Sequence, residues 1–193
     1  MSRIVAIEHL TIDGVMQGPG RPDEDRRDGF EYGGWAAAAG DPAVQKAVGA
    51  RMGSAWSLLV GRVTYEDFYG FWPRQPPNPM TDALDRVEKF VASTTMTEPL
   101  PWRNSRLLAG DAADAVGELK RKHDKTLVVF GSGVLVRSLM QRDLIDELVL
   151  LIHPVVLGRG RRLFAHQDTP ARFDLVESVS TGKGVVAIWK PAS

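Results

Sequence analysis

The sequence predicts a three-layer α/β fold: a mostly parallel central sheet between helices, finished by an antiparallel C-terminal hairpin. Three observations predict it. Short, β-branched apolar runs alternate with helical patterns from residue 4 to residue 144. Two of those runs end in glycine and pass at once into a helix, the turn of a βαβ unit. The closing stretch, FDLVESVSTGKGVVAIWK, alternates apolar and polar residues on both sides of a TGKG turn. One domain over residues 1–193 is expected, with no internal repeat and no linker.

Taken in order, IVAIEHL (4–10) reads as a buried strand. Residues 13–34 form a loop rich in glycine, proline and charge. A stretch of that length in a compact domain is an active-site lid, a disordered segment or a mere surface excursion. Asp41-Pro42 opens a helix as N-cap and first helical residue, and Val44, Val48 and Met52 share one of its faces. SLLV (57–60) is a strand stopped by Gly61-Arg62, and 64–68 starts a short helix. PRQPPNP (73–79) is a loop and 81–88 a helix. FVAS (90–93) and RLLAG (106–110) are strands, and 112–123 is a polar-faced helix. TLVVF (126–130) runs through Gly131-Ser132-Gly133 into a helix over 134–144. ELVLLIHPVVLG (147–158) is a long apolar strand broken at Pro154, and the hairpin occupies about 172–190.

Lysine plus arginine and aspartate plus glutamate each total 24, so the net charge is zero, which argues against a general nucleic-acid binder. There is no cysteine, which removes disulfides, thiolate nucleophiles and cysteine-bound metal. His9, His123, His153 and His166 lack metal-ligand spacing, so no metal is expected. No apolar run reaches the ~18 residues of a membrane helix, and Glu8 and His9 interrupt the N-terminal run; a cytoplasmic protein is expected.

The chemistry concentrates at the strand-to-helix turns. At Gly131-Ser132-Gly133 an apolar strand meets a helix N-terminus, a geometry that suits an anionic phosphate. A second turn of this design lies at Gly61, where Arg62 adds a planar donor fork and Thr64 a hydroxyl. A third strand ends in Ser93-Thr94-Thr95. Neighbouring turns of this kind point to a dinucleotide across the strand ends.

IEHLTIDGVMQ (7–17), LLVGRVTYEDF (58–68), FVAST (90–94), VVFGSGVLVRSLM (128–140) and DELVLLIHPVVLGRGRRLF (146–164) together resemble the dihydrofolate-reductase-like group. That group includes the C-terminal reductase domain of the bifunctional riboflavin deaminase/reductase. The resemblance spans roughly residues 3–190, and PVVLGRGRRLF (154–164) is its most specific piece. It implies an NADPH-dependent oxidoreductase acting on a small heterocyclic or carbonyl substrate. Gly61, Arg62 and Thr64 would hold part of NADPH, with Ser93 and Thr94 beside the 2′-phosphate. Gly131, Ser132, Gly133, Val134 and Leu135 would form the pyrophosphate turn, and Val15 and Met16 would flank the nicotinamide. Asp13 is the candidate for orienting substrate at the hydride-transfer position; Glu31, Tyr32 and Trp35 would close over the pocket, and Trp35 serves equally as a core anchor for the loop. Arg159, with Arg161 and Arg162, is a candidate for a substrate phosphate.

Two departures narrow the substrate. Dihydrofolate reductases carry a carboxylate on the helix facing the pterin, and residues 42–53 contain no acid. The deaminase of the riboflavin pathway needs a cysteine-bearing zinc site that this chain lacks, so only the reductase half, reduction of a ribosyl C1′ carbonyl, is implied. The riboflavin-type relatives are dimeric, and a homodimer is expected here, supported by the long apolar strand 147–158. A non-catalytic nucleotide-binding or interaction protein on the same fold stays open as the alternative.

Overall fold

The computed structural model describes residues 1–36, 41–164 and 170–192. Eight strands form one sheet: β1 (Ile4–Thr11), β2 (Trp56–Gly61), β3 (Lys89–Ala92), β4 (Ser105–Leu108), β5 (Thr126–Phe130), β6 (Glu147–His153), β7 (Phe173–Ser180) and β8 (Val185–Pro191). Their spatial order is β4-β3-β2-β5-β1-β6-β8-β7. The first six are mutually parallel, and β8 runs antiparallel between β6 and β7. The parallel strands run in one direction and so end at one edge of the sheet.

Strand alternation assigns the helices to faces. Ile4, Ala6, Leu127, Val129 and Leu59 point to the side covered by α4 (Ala112–Lys122) and α5 (Gly133–Met140). Val5, Ile7 and Val128 point to the other side, under α1 (Pro42–Met52), where Val44, Val48 and Met52 pack as their spacing predicts. Leu58, Val60 and Val91 extend that face beneath α2 (Arg62–Phe71) and α3 (Pro79–Arg86) through Tyr65 and Leu84. The three-layer fold and its C-terminal hairpin are those the sequence predicts. No helix among the described residues is long and apolar enough to cross a membrane.

Several boundaries differ from expectation for local reasons. α2 runs ten residues rather than a short turn over 64–68, because Gly61 is its N-cap and Arg62 is already helical. α3 begins at Pro79, inside the stretch read as loop, because the Asn78 side chain accepts from the Met80 and Thr81 N–H groups in a capping box. The fourth strand stops at Leu108; Gly110 turns at φ 88° and Asp111 caps α4. α5 ends at Met140, not 144: Asp143 is left-handed (φ 52°), and the Leu144 N–H closes on the Leu139 carbonyl at 3.0 Å. The apolar strand of 147–158 stops at His153 and is no edge. It lies between β1 and β8, covered by its own chain, so its length does not argue for a dimer.

Candidate functional site

The turns after β3, β2 and β5 meet in that order at the carboxyl edge, followed by the ends of β1 and β6. The β2 and β5 turns are tied by one side chain. Ser132 accepts the Gly61 N–H at 2.9 Å and donates to the Thr64 hydroxyl at 2.8 Å. To reach both, Ser132 adopts the left-handed region (φ 65°, ψ 47°), directly after Gly131 at φ 62°. A non-glycine residue held there stores strain of about 1–2 kcal/mol. The first helical bond of α5 runs from the Val136 N–H to the Ser132 carbonyl. The Gly133, Val134 and Leu135 N–H groups therefore sit in the unpaired first turn. They present donors and a positive helix end to the edge, the set that receives an anionic phosphate.

Around this centre the other expected residues fall as follows. Val134 is exposed and available to ligand; Leu135 turns into the core, so only its backbone faces outward. Arg62 is exposed and paired to Glu66 at 2.8 Å, one turn along α2. Ser93 accepts the Thr95 and Met96 N–H groups, each at 3.1 Å, which shapes the turn after β3 and leaves Thr94 exposed. Met16 lies across Gly133, so closely that a Cβ there would collide with its thioether. Val15 is fully buried and bridges to Arg162.

Asp13 is held differently from a residue free to meet substrate. Its carboxylate accepts from the Thr11 hydroxyl (2.6 Å), the Leu157 N–H (3.2 Å), the Gly158 N–H (2.9 Å) and the Arg162 guanidinium (3.2 Å). The Thr11 hydrogen bond, with the two backbone N–H groups, holds its pKa well below the usual carboxylate range. It stays ionised and clamps the end of β1 to the strap of residues 154–163. Gln17, which the sequence did not single out, continues that clamp. It is buried, accepts the Arg161 N–H at 3.0 Å and donates to the Arg27 carbonyl at 3.0 Å.

The loop after β1 is therefore folded on itself. The Gly34 N–H bonds the Gly18 carbonyl at 2.8 Å, and Gly33 passes so close to the Arg21 and Pro22 carbonyls that a Cβ would lie 2.7 Å and 2.8 Å from them. Trp35 donates its indole N–H to the Gln17 carbonyl at 2.7 Å and packs edge-on against His153, with centroids 5.5 Å apart. Glu31 is exposed on the loop, beside Tyr32. Arg161 pairs with Asp28 and Arg162 with Asp13, whereas exposed Arg159 has no ion-pair partner among the described residues. His166 lies outside the described residues.

Sequence reasoning passed over a further pair. His9 and His153 meet on the α1 side of the sheet, Nδ1 to Nε2 at 2.9 Å. They are 144 residues apart, and only the parallel pairing that sets Thr11 against His153 brings them together. Burial, and secondarily the charge of His153, lowers His9 to about 4; burial lowers His153 as well. Both rings are neutral at neutral pH.

The family model for the RibD C-terminal domain matches residues 4–187. The uncharacterized protein YyaP of Bacillus subtilis (strain 168) is 28% identical over 138 residues, covering 68% of this chain and 71% of that protein. A protein assigned to riboflavin biosynthesis in Shewanella sp. PV-4 superposes over 100% of both chains, with a TM-score of 0.67 and 23% identity. Dihydrofolate reductase from Enterococcus faecalis, solved with NADP(H), superposes over 99% of this chain and 97% of its own, with a TM-score of 0.64 and 14% identity.

Proposed function

The chain belongs to the RibD C-terminal domain family, and from that premise we propose that it is an NADPH-dependent reductase of a small heterocyclic or carbonyl substrate. One observation carries the reading: Ser132 locks the β2 and β5 turns together at the cost of a left-handed backbone. A sheet edge that only needed two turns would not retain that strain. The locked turns fix the unpaired α5 N–H groups beside Arg62 and the Ser93-Thr94 turn, a donor set suited to a pyrophosphate and a 2′-phosphate. NADPH supplies a hydride when bound. The chain supplies position, through Gly61, Thr64 and Gly131–Val134, and water exclusion, through Val15, Met16 and the loop closed by Trp35. Asp13 acts as a positioning residue that sets the strap, because its saturated, strongly acidic carboxylate has no proton to give near neutral pH.

The experiment is a titration with NADPH and separately NADH, following the fluorescence of the five tryptophans. Saturable binding that prefers NADPH, and that weakens about 10- to 100-fold in Arg62→Ala, is expected for loss of a charged hydrogen bond. Binding of neither nucleotide would remove the reductase reading and leave the non-catalytic alternative.

The homodimer rests on a different strand from the one expected. β7 is one of the two sheet edges, and Leu175 and Val176 on it are 53% and 46% exposed. An open edge with exposed apolar residues is a pairing surface. A solution mass of one 21.2 kDa chain by light scattering at micromolar concentration would refute the dimer.

A further inference from the structure

The cofactor reading leaves His9 and His153 unused. They sit at the carboxyl ends of β1 and β6, on the face packed by α1, at the same sheet edge as the Gly131–Gly133 turn. Their rings stack at 24° with centroids 5.1 Å apart, and the 2.9 Å nitrogen contact requires one ring to donate while the other accepts. A cavity of about 10 Å³, room for one water, adjoins them and is lined by His9, Val44, His153, Thr181 and Lys183. Lys183 is the one charged group among the described residues that line it. Trp35, fixed by its bond to Gln17, covers the edge of His153.

A hydrogen-bonded pair of neutral imidazoles keeps a lone pair on one outer nitrogen and an N–H on the other. A proton accepted at the first is matched by one released at the second. We propose that His9 and His153 form a proton relay for the reduction, an inference that rests on the reductase reading. The balance closes: hydride adds to the carbonyl carbon and the C=O π pair moves to oxygen. The oxygen takes the proton of the outer N–H, the shared proton shifts between the rings, and water returns a proton to the other outer nitrogen. The product is an alcohol, and solvent exchange restores the tautomers. Depressed basicity suits this role, since a pair that stayed protonated would hold charge instead of passing it on.

The test compares wild type, His9→Gln and His153→Gln in single-turnover oxidation of bound NADPH. Two probes are used: 5-amino-6-(5-phosphoribosylamino)uracil and the uncharged ketone isatin. Rates are followed from pH 6 to 9 in H₂O and D₂O, and NADPH affinity by tryptophan fluorescence shows that each variant is folded. The relay predicts a wild-type rate that is flat with pH and carries a solvent isotope effect. Each variant should keep NADPH affinity within about twofold yet react about 10²- to 10⁴-fold slower, with a rate that falls as pH rises and partial rescue by free imidazole. Variants that keep the wild-type rate and isotope effect overturn the relay. So does slowing without a changed pH profile or rescue, which marks a structural pair. A wild type that oxidises NADPH with neither probe refutes the reductase reading itself and the relay with it, a result distinct from an active wild type with unaffected variants.

Discussion

Replacing Ser132 separates two energies that the native residue combines. Ser132→Ala removes the hydrogen bonds to Gly61 and Thr64 but keeps a Cβ in the left-handed region. Each bond contributes about 0.5–1.5 kcal/mol net, so the alanine variant should lose about 2 kcal/mol. Ser132→Gly loses the same bonds but relieves left-handed strain of about 1–2 kcal/mol, offset in part by the entropy of the freed glycine. Its net loss should be about 1 kcal/mol. Urea unfolding at neutral pH measures both, with unchanged m-values confirming that the native and unfolded states are otherwise comparable. The order is the sensitive quantity: wild type most stable, then glycine, then alanine. An alanine variant as stable as wild type would show that the hydroxyl bridge contributes nothing. A glycine variant less stable than alanine would show that the backbone at 132 is not strained.

Glu8 is fully buried in the α4/α5 face with one carboxylate oxygen unpartnered, and burial raises its pKa well above the usual range. The native state therefore holds a proton that the unfolded state releases above about pH 4.5, and stability should fall as pH rises past that point. Glu8→Gln should remove this loss and be more stable than wild type at pH 7, measured by urea unfolding; equal stability would mean the carboxyl finds a partner. His9 acts in the opposite sense. With a native pKa of about 4, it is neutral while the unfolded ring protonates below about 6.5, so stability is lost as pH falls through that window. In the Glu8→Gln background the His9 contribution between about pH 7.5 and pH 5 should be a loss of about 2 kcal/mol, abolished by His9→Gln. Gly184→Ala should destabilise by about 2 kcal/mol or more, because φ is 153° and a Cβ would collide with the Ile152 carbonyl; a thermal midpoint matching wild type would refute it.

What was legible in the sequence is what short-range physics decides. The order of strands and helices followed from apolar runs and the glycines that end them, since a turn at Gly61 or Gly131 is set by neighbours within a few residues. The α1 face was readable from Val44, Val48 and Met52 for the same reason. The α3 start was hidden because Asn78-Pro79 serves equally as a loop and as an N-cap, and only the Thr81 reciprocal bond decides between them. The roles that escaped notice depend on contacts across the whole chain. Asp13 could not be seen as a clamp without the strap 144 residues away that satisfies it. Glu8 read as an interruption of an apolar run, whereas the fold places it inside the core.

The two halves of the edge are therefore held by different means, and that bears on how a ligand would be accommodated. On the β2/β5 side, Ser132 binds two turns that already belong to packed strands, so the unpaired α5 donors are fixed before anything binds. On the β1/β6 side, the loop after Thr11 is held by Asp13, Gln17 and Trp35. Their partners lie mainly on the strap and on the loop itself, with the Thr11 hydroxyl and the His153 ring as their contacts to the sheet. Each contact can be exchanged without breaking a strand pair. Met16, lying across Gly133, is one point where the halves touch, beside the Arg21–Asp67 pair from the loop to α2 and the Arg137 bonds to the Arg162 and Leu163 carbonyls, and its flexible thioether can move aside at little cost. A dinucleotide would thus meet a rigid phosphate cradle first and an adjustable cover second. Binding energy from the cradle would then be available to settle the loop over the reacting end.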